Sequence, residues 1–490
     1  MSSSVVVHRV AVADIPVLEP RAWRDDVLRR HHDGARLLTL FGKAHGDRVS
    51  ITSAFRDHDG AVATTRTDTT RALGYHELTS EWPALHCFER ELHEQTGVRV
   101  AGHPWLKPIR YEGAERSAMD AYPFYEIEGK EVHEVAVGPI HAGVIEPGAF
   151  RFMCHGEQVH HLEIHLGYQH RGVERLLLAS NPAQHAPLVE TIAGDTSVAH
   201  TWAYCAAIES LSDCALEIET EVARAVVLEL ERIAMHLSGL SGLAADIGFL
   251  QGATTYGRLR TTAINTTMRL CGSRFGRGAL RPGGIGMKLP PALLGEVRAN
   301  LALLRGDLPI INDCFLEAHT VQHRLHGAGI LSQARAEELG LVGMAARASG
   351  VLIDARFEMA HGAYAVAALE PQLFEEGDCW ARARLRIAEM DASLEWLETI
   401  LALHGAWERP RKPIGALAAN QLVLTLVEGW RGEVVHCLET DGIGNLFHYK
   451  VQDPSLRNWM GLAIAVRGNE ISDFPICNKS FDLSYCGNDL

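Results

Sequence analysis

The stretch from Arg224 to Leu243 constrains this chain most: Val226, Leu230, Ile233, Leu237 and Leu240 fall on one helical stripe, and Glu229, Arg232 and His236 on another. A stripe that apolar must pack against other helices. Helical periodicity also covers Ala292 to Leu304, Glu337 to Gly350 and Cys379 to Leu403, with breaks such as Arg281-Pro282-Gly283-Gly284 between them. The middle of the chain is therefore expected to be a helix bundle. Strand patterns flank it. The first part, to about Tyr122, is strand-leaning, with β-branched runs at Val5 to Val7 and Arg48 to Ala54 between Asp/Gly turns. Val135 to Ile145 reads as a Gly/Pro-punctuated strand region, Gln158 to Leu166 alternates with period two, and short strands return from about Leu422. The composition turns small and polar around Gly113 to Asp120. An α+β chain follows, with an α+β unit over 1–125 and a helix-rich unit with small flanking sheets over 126–490.

Charge and hydropathy narrow the function classes. Acidic residues outnumber basic ones by 61 to 46, a formal charge of −15, and no run of five Lys/Arg occurs, so nucleic-acid binding has no electrostatic footprint. No apolar stretch is long enough for a membrane-spanning helix, and the N-terminus lacks a secretory pattern, so a cytoplasmic chain is expected. The ten cysteines contain no C-x-x-C pair. Zinc ribbons and iron–sulfur loops draw two thiolates from one tight turn, so scattered reduced thiols are expected instead. Nucleophile-elbow, P-loop and dinucleotide fingerprints are absent, and Gly284-Ile285-Gly286 follows a Pro-Gly loop rather than a strand.

Two clusters carry candidate chemistry. His161, Glu163 and His165 share one face of the Gln158 to Leu166 strand and could present three metal ligands, but no fourth ligand is indicated and the wet face of a half-buried strand is the preferred reading. Glu229, Arg232 and His236 allow an ion pair at i, i+3, and a solvated helix face is the simpler expectation. Arg431, between two strands, could aim a guanidinium into a cleft.

A resemblance adds to this reading. Phe88-Glu89-Arg90-Glu91-Leu92, Gly97-Val98 and Gly102-His103-Pro104 with Leu106 look like the signature of the thirty-kilodalton subunit of respiratory complex I. Gly138-Pro139-Ile140-His141, Glu146-Pro147-Gly148, the run Gly167 to Glu174, Leu230-Glu231-Arg232-Ile233, Arg281 to Gly284, Ala346 to Gly350 with Asp354 and Arg356, Gly377-Asp378 with Arg382 and Arg386, and Glu428 to Gly432 follow in order. Together they resemble the forty-nine-kilodalton subunit of complex I and the large subunits of group 4 [NiFe] hydrogenases. The fused order is that of the formate hydrogenlyase type. In those hydrogenases two C-x-x-C motifs hold nickel; the matching positions here are Ala193, Thr196, Ser484 and Gly487. Methyl groups, hydroxyls and a bare α-carbon are not soft-metal donors, so no metal is expected in this chain. The complex I pattern departs too: its quinone-contacting tyrosine falls on Gly194 and its second loop histidine on Ile145, leaving His141.

The resemblance implies a peripheral subunit on the cytoplasmic face of the inner membrane, in a complex I-like or hydrogenase-related oxidoreductase coupled to ion translocation. It implies docking against an iron–sulfur small subunit, like the twenty-kilodalton one of complex I, with a [4Fe-4S] cluster. It implies further docking against antiporter-like and complex I-like membrane subunits, and a redox cavity for quinone or another acceptor, with no cofactor in this chain. Glu146 and His200 are placed for proton transfer and Arg431 for favouring anionic charge, with His141, Asp195 and Asp482 lining the cavity. The alternatives are an active group 4 hydrogenase large subunit, against which the missing thiolates argue, and a non-catalytic scaffold between an iron–sulfur partner and an ion pump.

Overall fold

The β-branched run at the N-terminus forms the strand Val6–Ala11, which pairs antiparallel with Gln421–Gly429 near the other end of the chain, Val6 opposite Leu426 and Ala11 opposite Gln421. The computed structural model describes residues 6–58, 60–113, 117–141, 145–359 and 362–490. Val5 of that run, residues 114–116 of the polar turn and residues 142–144 of the expected Val135 to Ile145 strand lie outside them. The sheet continues through Gly432–Thr440 to Leu446–Gln452. A second four-stranded sheet is confined to the N-terminal part, in the order Val17–Leu18, Val62–Thr70, Arg48–Arg56, Arg36–His45. The helices Pro20–His32 and His86–Thr96 accompany it, Trp23, Val27 and Leu28 of the first being buried. With a further three-stranded sheet and the helical middle, the architecture is mixed α+β.

Long helices span Ser197–Leu211, Ile218–Asp246, Leu250–Cys271, Pro291–Glu317 and Cys379–His404. The second is the stripe helix of the sequence, and it packs against Leu250–Cys271, Cys379–His404 and Phe474–Phe481. Its polar trio does not face solvent. Glu229, Arg232 and His236 are all fully buried, which corrects the expected solvated face. Helices cover the charged side as well as the apolar one, and the charges are paired rather than hydrated.

The expected helix from Glu337 to Gly350 is two short ones, Gln333–Glu338 and Gly343–Arg347. Gly340 and Gly343 separate them at φ +62° and +63°, a conformation that glycine adopts without a Cβ clash. Gly343 also lies where a Cβ would come within 2.1 Å of the Arg431 carbonyl oxygen. The break thus lets this segment close onto the Gly429–Gly432 hairpin, a relationship that local periodicity does not report.

The strand Gln158–His165 pairs with Ala149–His155, and that in turn with Val132–Val137. Of its His161, Glu163, His165 face, Glu163 and His165 are buried and only His161 keeps part of its surface exposed. Lys107 Nζ (2.5 Å), Tyr122 Oη (3.0 Å) and the Tyr125 amide (2.6 Å) all donate to the Glu163 carboxylate. The Tyr122 ring stacks on His165 at 4.2 Å. Burial lowers His165 to about 4, so it stays neutral. His161, half-buried, pairs through Nδ1 with Arg467 at 3.2 Å. Lys107, Tyr122 and Tyr125 cover Glu163 and His165, and it is this long-range cover that overturns the expected solvated face there.

Candidate functional site

Three chain segments meet where the sequence places the two former cysteine motifs. The first precedes the helix Ser197–Leu211, where Ala193 and Thr196 are fully buried. The second is the C-terminal turn: Asp482 ends the helix Phe474–Phe481 in the left-handed region at φ +54°, and Ser484 caps the last helical turn by accepting from the Gly487 amide at 2.9 Å. The third is the hairpin Gly429-Trp430-Arg431-Gly432, whose two-residue tip presents Arg431.

Arg431 joins all three. Its Nη1 and Nη2 donate to the two Asp195 carboxylate oxygens at 2.6 and 2.7 Å, and Nη1 also reaches Thr196 Oγ1 at 3.0 Å. Its Nε donates to the Asp482 carbonyl. The guanidinium lies 3.8 Å from the Trp430 ring centroid, and Trp430 Nε1 donates to the Asp195 carbonyl at 3.0 Å. A planar fork held by a bidentate carboxylate and an aromatic face has little rotational freedom. Burial opposes ionisation of Asp195, but the Arg431 charge and hydrogen bonds outweigh it and hold the carboxyl below its ordinary value.

A second polar chain starts at the other former ligand position. A Cβ at Gly487 would lie 2.6 Å from the Asp453 carboxylate, so Asp453 takes the space a cysteine side chain there would need. Asp453 Oδ2 is 3.1 Å from His200 Nε2, His200 Nδ1 is 3.1 Å from His436 Nε2, and His436 Nδ1 is 2.8 Å from Tyr449 Oη. An ionised carboxylate only accepts, so His200 donates from Nε2 and accepts at Nδ1. His436 then donates from Nε2, and Tyr449 donates to its Nδ1. Burial, reinforced by His200, keeps His436 well below the usual histidine range.

Glu146 lies at the C-terminal turn, its Oε2 accepting from the Tyr485 amide at 3.2 Å. Burial and the neighbouring Glu146 charge push the Cys486 thiol up to about 11. His141 stands further off, its ring 5.5 Å from Phe150, which in turn faces Tyr485. Asp482 turns its carboxylate towards Lys479 and Gly239. The structure thus joins Asp195, Arg431 and the Asp482 backbone, ties His200 to Asp453 and His436, sets Glu146 beside the C-terminal turn, and places His141 against Phe150.

Behind the hairpin, the buried trio acts as its footing. Arg232 donates to the carbonyls of Glu428 (2.7 Å) and Gly429 (3.1 Å) while pairing with Glu229. Glu229 also accepts from Arg356 (3.1 Å), Tyr364 (2.7 Å) and Ser393 (2.7 Å). His236 bonds Glu389 at 2.7 Å, Glu389 bonds Arg347, and Arg347 returns to Glu428 at 2.8 Å. Burial lowers His236 to about 4 despite Glu389. Burial, and the nearby Asp354 charge, raise Glu428 to about 7.

Sequence reasoning did not find Asp453, His436 or Tyr449. Asp453-Pro454-Ser455 is legible as a helix cap, and Asp453 does accept from the Ser455 amide at 2.8 Å. Its second oxygen, the one facing His200, carries no local signal.

A nickel–iron centre does not fit these residues. Four thiolate positions carry a methyl, two hydroxyls and no side chain; the Thr196 hydroxyl is engaged by Arg431, and the Ser484 hydroxyl by the Gly487 amide. Among the described residues no group of three or more His, Cys, Asp or Glu side chains is placed to hold a metal ion. No helix among them is long and apolar enough to cross a membrane.

Comparison with known proteins places this geometry. Residues 25–122 match the family of the respiratory-chain NADH dehydrogenase 30 Kd subunit, and residues 246–411 that of the 49 Kd subunit. The carbon monoxide-induced hydrogenase of Rhodospirillum rubrum is 28% identical over 71% of this chain and 97% of its own. Formate hydrogenlyase subunit 5 of Escherichia coli is 27% identical, covering 85% and 77%. The C/D subunit of NADH-quinone oxidoreductase from Bacteroides thetaiotaomicron is 25% identical, covering 89% and 87%. A chain of the archaeal membrane-bound sulfane sulfur reductase shares the fold, with a TM-score of 0.68 at 22% identity over 75% of this chain and all of that one. The chain is a fusion of domains of the NADH dehydrogenase 30 Kd and 49 Kd subunit families, homologous to group 4 hydrogenase large subunits and to the C/D subunits of NADH-quinone oxidoreductases.

Proposed function

We propose that this chain is a peripheral subunit of a membrane-bound, complex I-like oxidoreductase, in which it forms a redox cavity with an iron–sulfur small subunit. One observation supports the reading: beside the positions aligned with the family's nickel-binding cysteines, Arg431 pairs with Asp195 and Asp453 with His200, and no thiolate stands at any of the four. The surrounding fold is kept while the donor set is replaced. That pattern suits a cavity that handles protons and a carbon-based or other acceptor, and it does not suit a nickel-bound hydride.

In this reading electrons come from the partner's [4Fe-4S] cluster, and a quinone accepting two electrons takes two protons. Glu146 and His200 form the proton route: Glu146 lies at the C-terminal turn, and His200 relays, taking a proton at Nδ1 from the His436 side as it passes its Nε2 proton towards Asp453. Arg431 is already neutralised by Asp195, so its main effect is to hold the three segments in register. Docking on antiporter-like membrane subunits, on the cytoplasmic face, couples the reaction to ion translocation. The relatives support this through their own assemblies, being a formate hydrogenlyase subunit and subunits of NADH-quinone oxidoreductases.

The test is nickel analysis of the complex purified without air, together with hydrogen–deuterium exchange activity. The expected result is no nickel at stoichiometric level, no exchange, and electron transfer inhibited by quinone analogues. Stoichiometric nickel with exchange activity overturns the proposal in favour of a hydrogenase. Intact electron transfer in a Glu146→Gln complex removes Glu146 from the proton route.

A further inference from the structure

Away from this site, two cysteines that no motif employs face each other. Cys379 is the first residue of the helix Cys379–His404, whose cap Asp378 accepts from the Ala381 amide at 2.8 Å. Its sulfur therefore sits at the positive end of a 26-residue helix. Cys477, on the helix Phe474–Phe481, places its own sulfur 3.9 Å away. Arg382 Nη2 lies 3.5 Å from the Cys379 sulfur and Ser480 Oγ 3.4 Å from it. Burial disfavours a thiolate at Cys379, but the Cys477 thiol, the Arg382 charge and Ser480 outweigh it and bring Cys379 down to about 6. Cys477, hydrogen-bonded to that thiolate and buried, is held well above the ordinary thiol value. One sulfur is an activated nucleophile and its neighbour a protonated thiol in van der Waals contact, the arrangement of an attacking and a resolving cysteine.

Both residues are buried, and the turn over them is glycine-rich. Gly329, at φ +64°, passes so close that a Cβ would lie 2.7 Å from the Cys477 sulfur. An oxidant that reaches this pair must therefore be small. The helix that carries Cys477 ends at Phe481, and the next residue, Asp482, accepts from Arg431 through its carbonyl.

We propose that Cys379 and Cys477 are a redox-responsive dithiol that hydrogen peroxide converts to a disulfide, tying the helix before Asp482 to the start of the helix Cys379–His404. The Cys379 thiolate attacks one peroxide oxygen; the O–O bond breaks, a sulfenic acid forms, and hydroxide leaves and takes up a proton. The Cys477 sulfur then displaces the hydroxyl from Cys379, its thiol proton leaving with that oxygen as water. The two sulfurs lose two electrons in all, and the peroxide is reduced to two waters. The sulfurs, 3.9 Å apart, must close to about 2 Å to bond. The bond restrains the segment that holds Arg431, so the redox state of the dithiol reaches the candidate site through Asp482.

The experiment treats the full-length chain with hydrogen peroxide, denatures it in alkylating reagent, and maps the non-reduced digest by mass spectrometry. The expected result is a Cys379–Cys477 cross-linked peptide, cleaved by reductant, while buried Cys87 and Cys205 stay alkylatable. In Cys477→Ser, Cys379 is expected to be trapped as a sulfenic acid by dimedone. In Cys379→Ser, Cys477 is expected to lose its peroxide sensitivity. Full alkylation of both cysteines after peroxide, or pairing of either with another cysteine, overturns the proposal. These readouts do not depend on which acceptor the site serves.

Discussion

Arg431 and Asp195 face each other as a two-pronged ion pair, both guanidinium Nη atoms on both carboxylate oxygens at 2.6 and 2.7 Å. The arginine is nearly buried, and the aspartate side chain keeps 35% exposure. Removing the arginine strands a carboxylate that water reaches in part. Arg431→Ala should therefore lower stability by about 1–3 kcal/mol, less than for a wholly buried pair because solvent screens Asp195. Arg431→Lys should recover only part of this, since an ammonium cannot span both oxygens. Urea denaturation of the three proteins checks the order.

Restoring a cysteine at the last former ligand position should fail for a steric reason. The Asp453 carboxylate lies 2.6 Å from the Cβ that Gly487→Cys would add. The single variant is expected to lose about 1–3 kcal/mol through overpacking. Adding Asp453→Ala should return stability towards the parent, and the double-mutant cycle should show a coupling term of opposite sign to the single losses.

Glu231 supplies a pH dependence whose direction follows from its surroundings. It is buried, one oxygen accepting from the Val198 amide at 2.8 Å and the Ala199 amide also acting on the carboxyl. Burial, helped by the Asp195 charge against the Val198 hydrogen bond, raises it from 4.5 to about 8. The folded state then holds this proton more tightly than the unfolded chain. Its contribution is fully present below pH 4.5 and is lost as pH rises through about 8, by about 1.4 kcal/mol per unit of separation at most. Glu231→Gln keeps an acceptor for Val198 and removes the titration. The stability difference between variant and parent should therefore grow in the variant's favour from pH 5 to pH 8, as read by denaturant midpoints at each pH.

Glu229 anchors four donors from three other chain segments and its own helix, Arg356, Tyr364, Ser393 and Arg232, none of them open to water. Glu229→Leu leaves two buried guanidinium groups short of a counter-charge and should cost about 3–5 kcal/mol. Because Arg232 also holds the Glu428 and Gly429 carbonyls, amide exchange at the Trp430-Arg431 tip should speed up in this variant. Unchanged exchange at the tip would separate the charge cluster from the positioning of Arg431.

Residue identity and local periodicity were enough for part of this protein. Apolar spacing placed the helix Cys379–His404 closely, but it caught only parts of Ile218–Asp246 and Pro291–Glu317 and gave no bounds for Ser197–Leu211 or Leu250–Cys271. The order of short motifs was enough to recognise the two fused complex I-like domains, and the absence of thiolates at Ala193, Thr196, Ser484 and Gly487 is a matter of identity alone.

Only the tertiary structure decided what surrounds each polar group. Glu229, Arg232 and His236 look like a solvated helix face, and His161, Glu163 and His165 like a wet strand face, because an alternation of polar and apolar residues is the same whether water or protein lies on the polar side. The partners that decide it come from far along the chain: Arg356 for Glu229, Tyr122 for Glu163, and Asp453 for His200. The strand Val6–Ala11 likewise completes a sheet whose other strands begin at Gln421. Spacing along a chain records local geometry, whereas the cost of burying a charge depends on which distant group is folded against it.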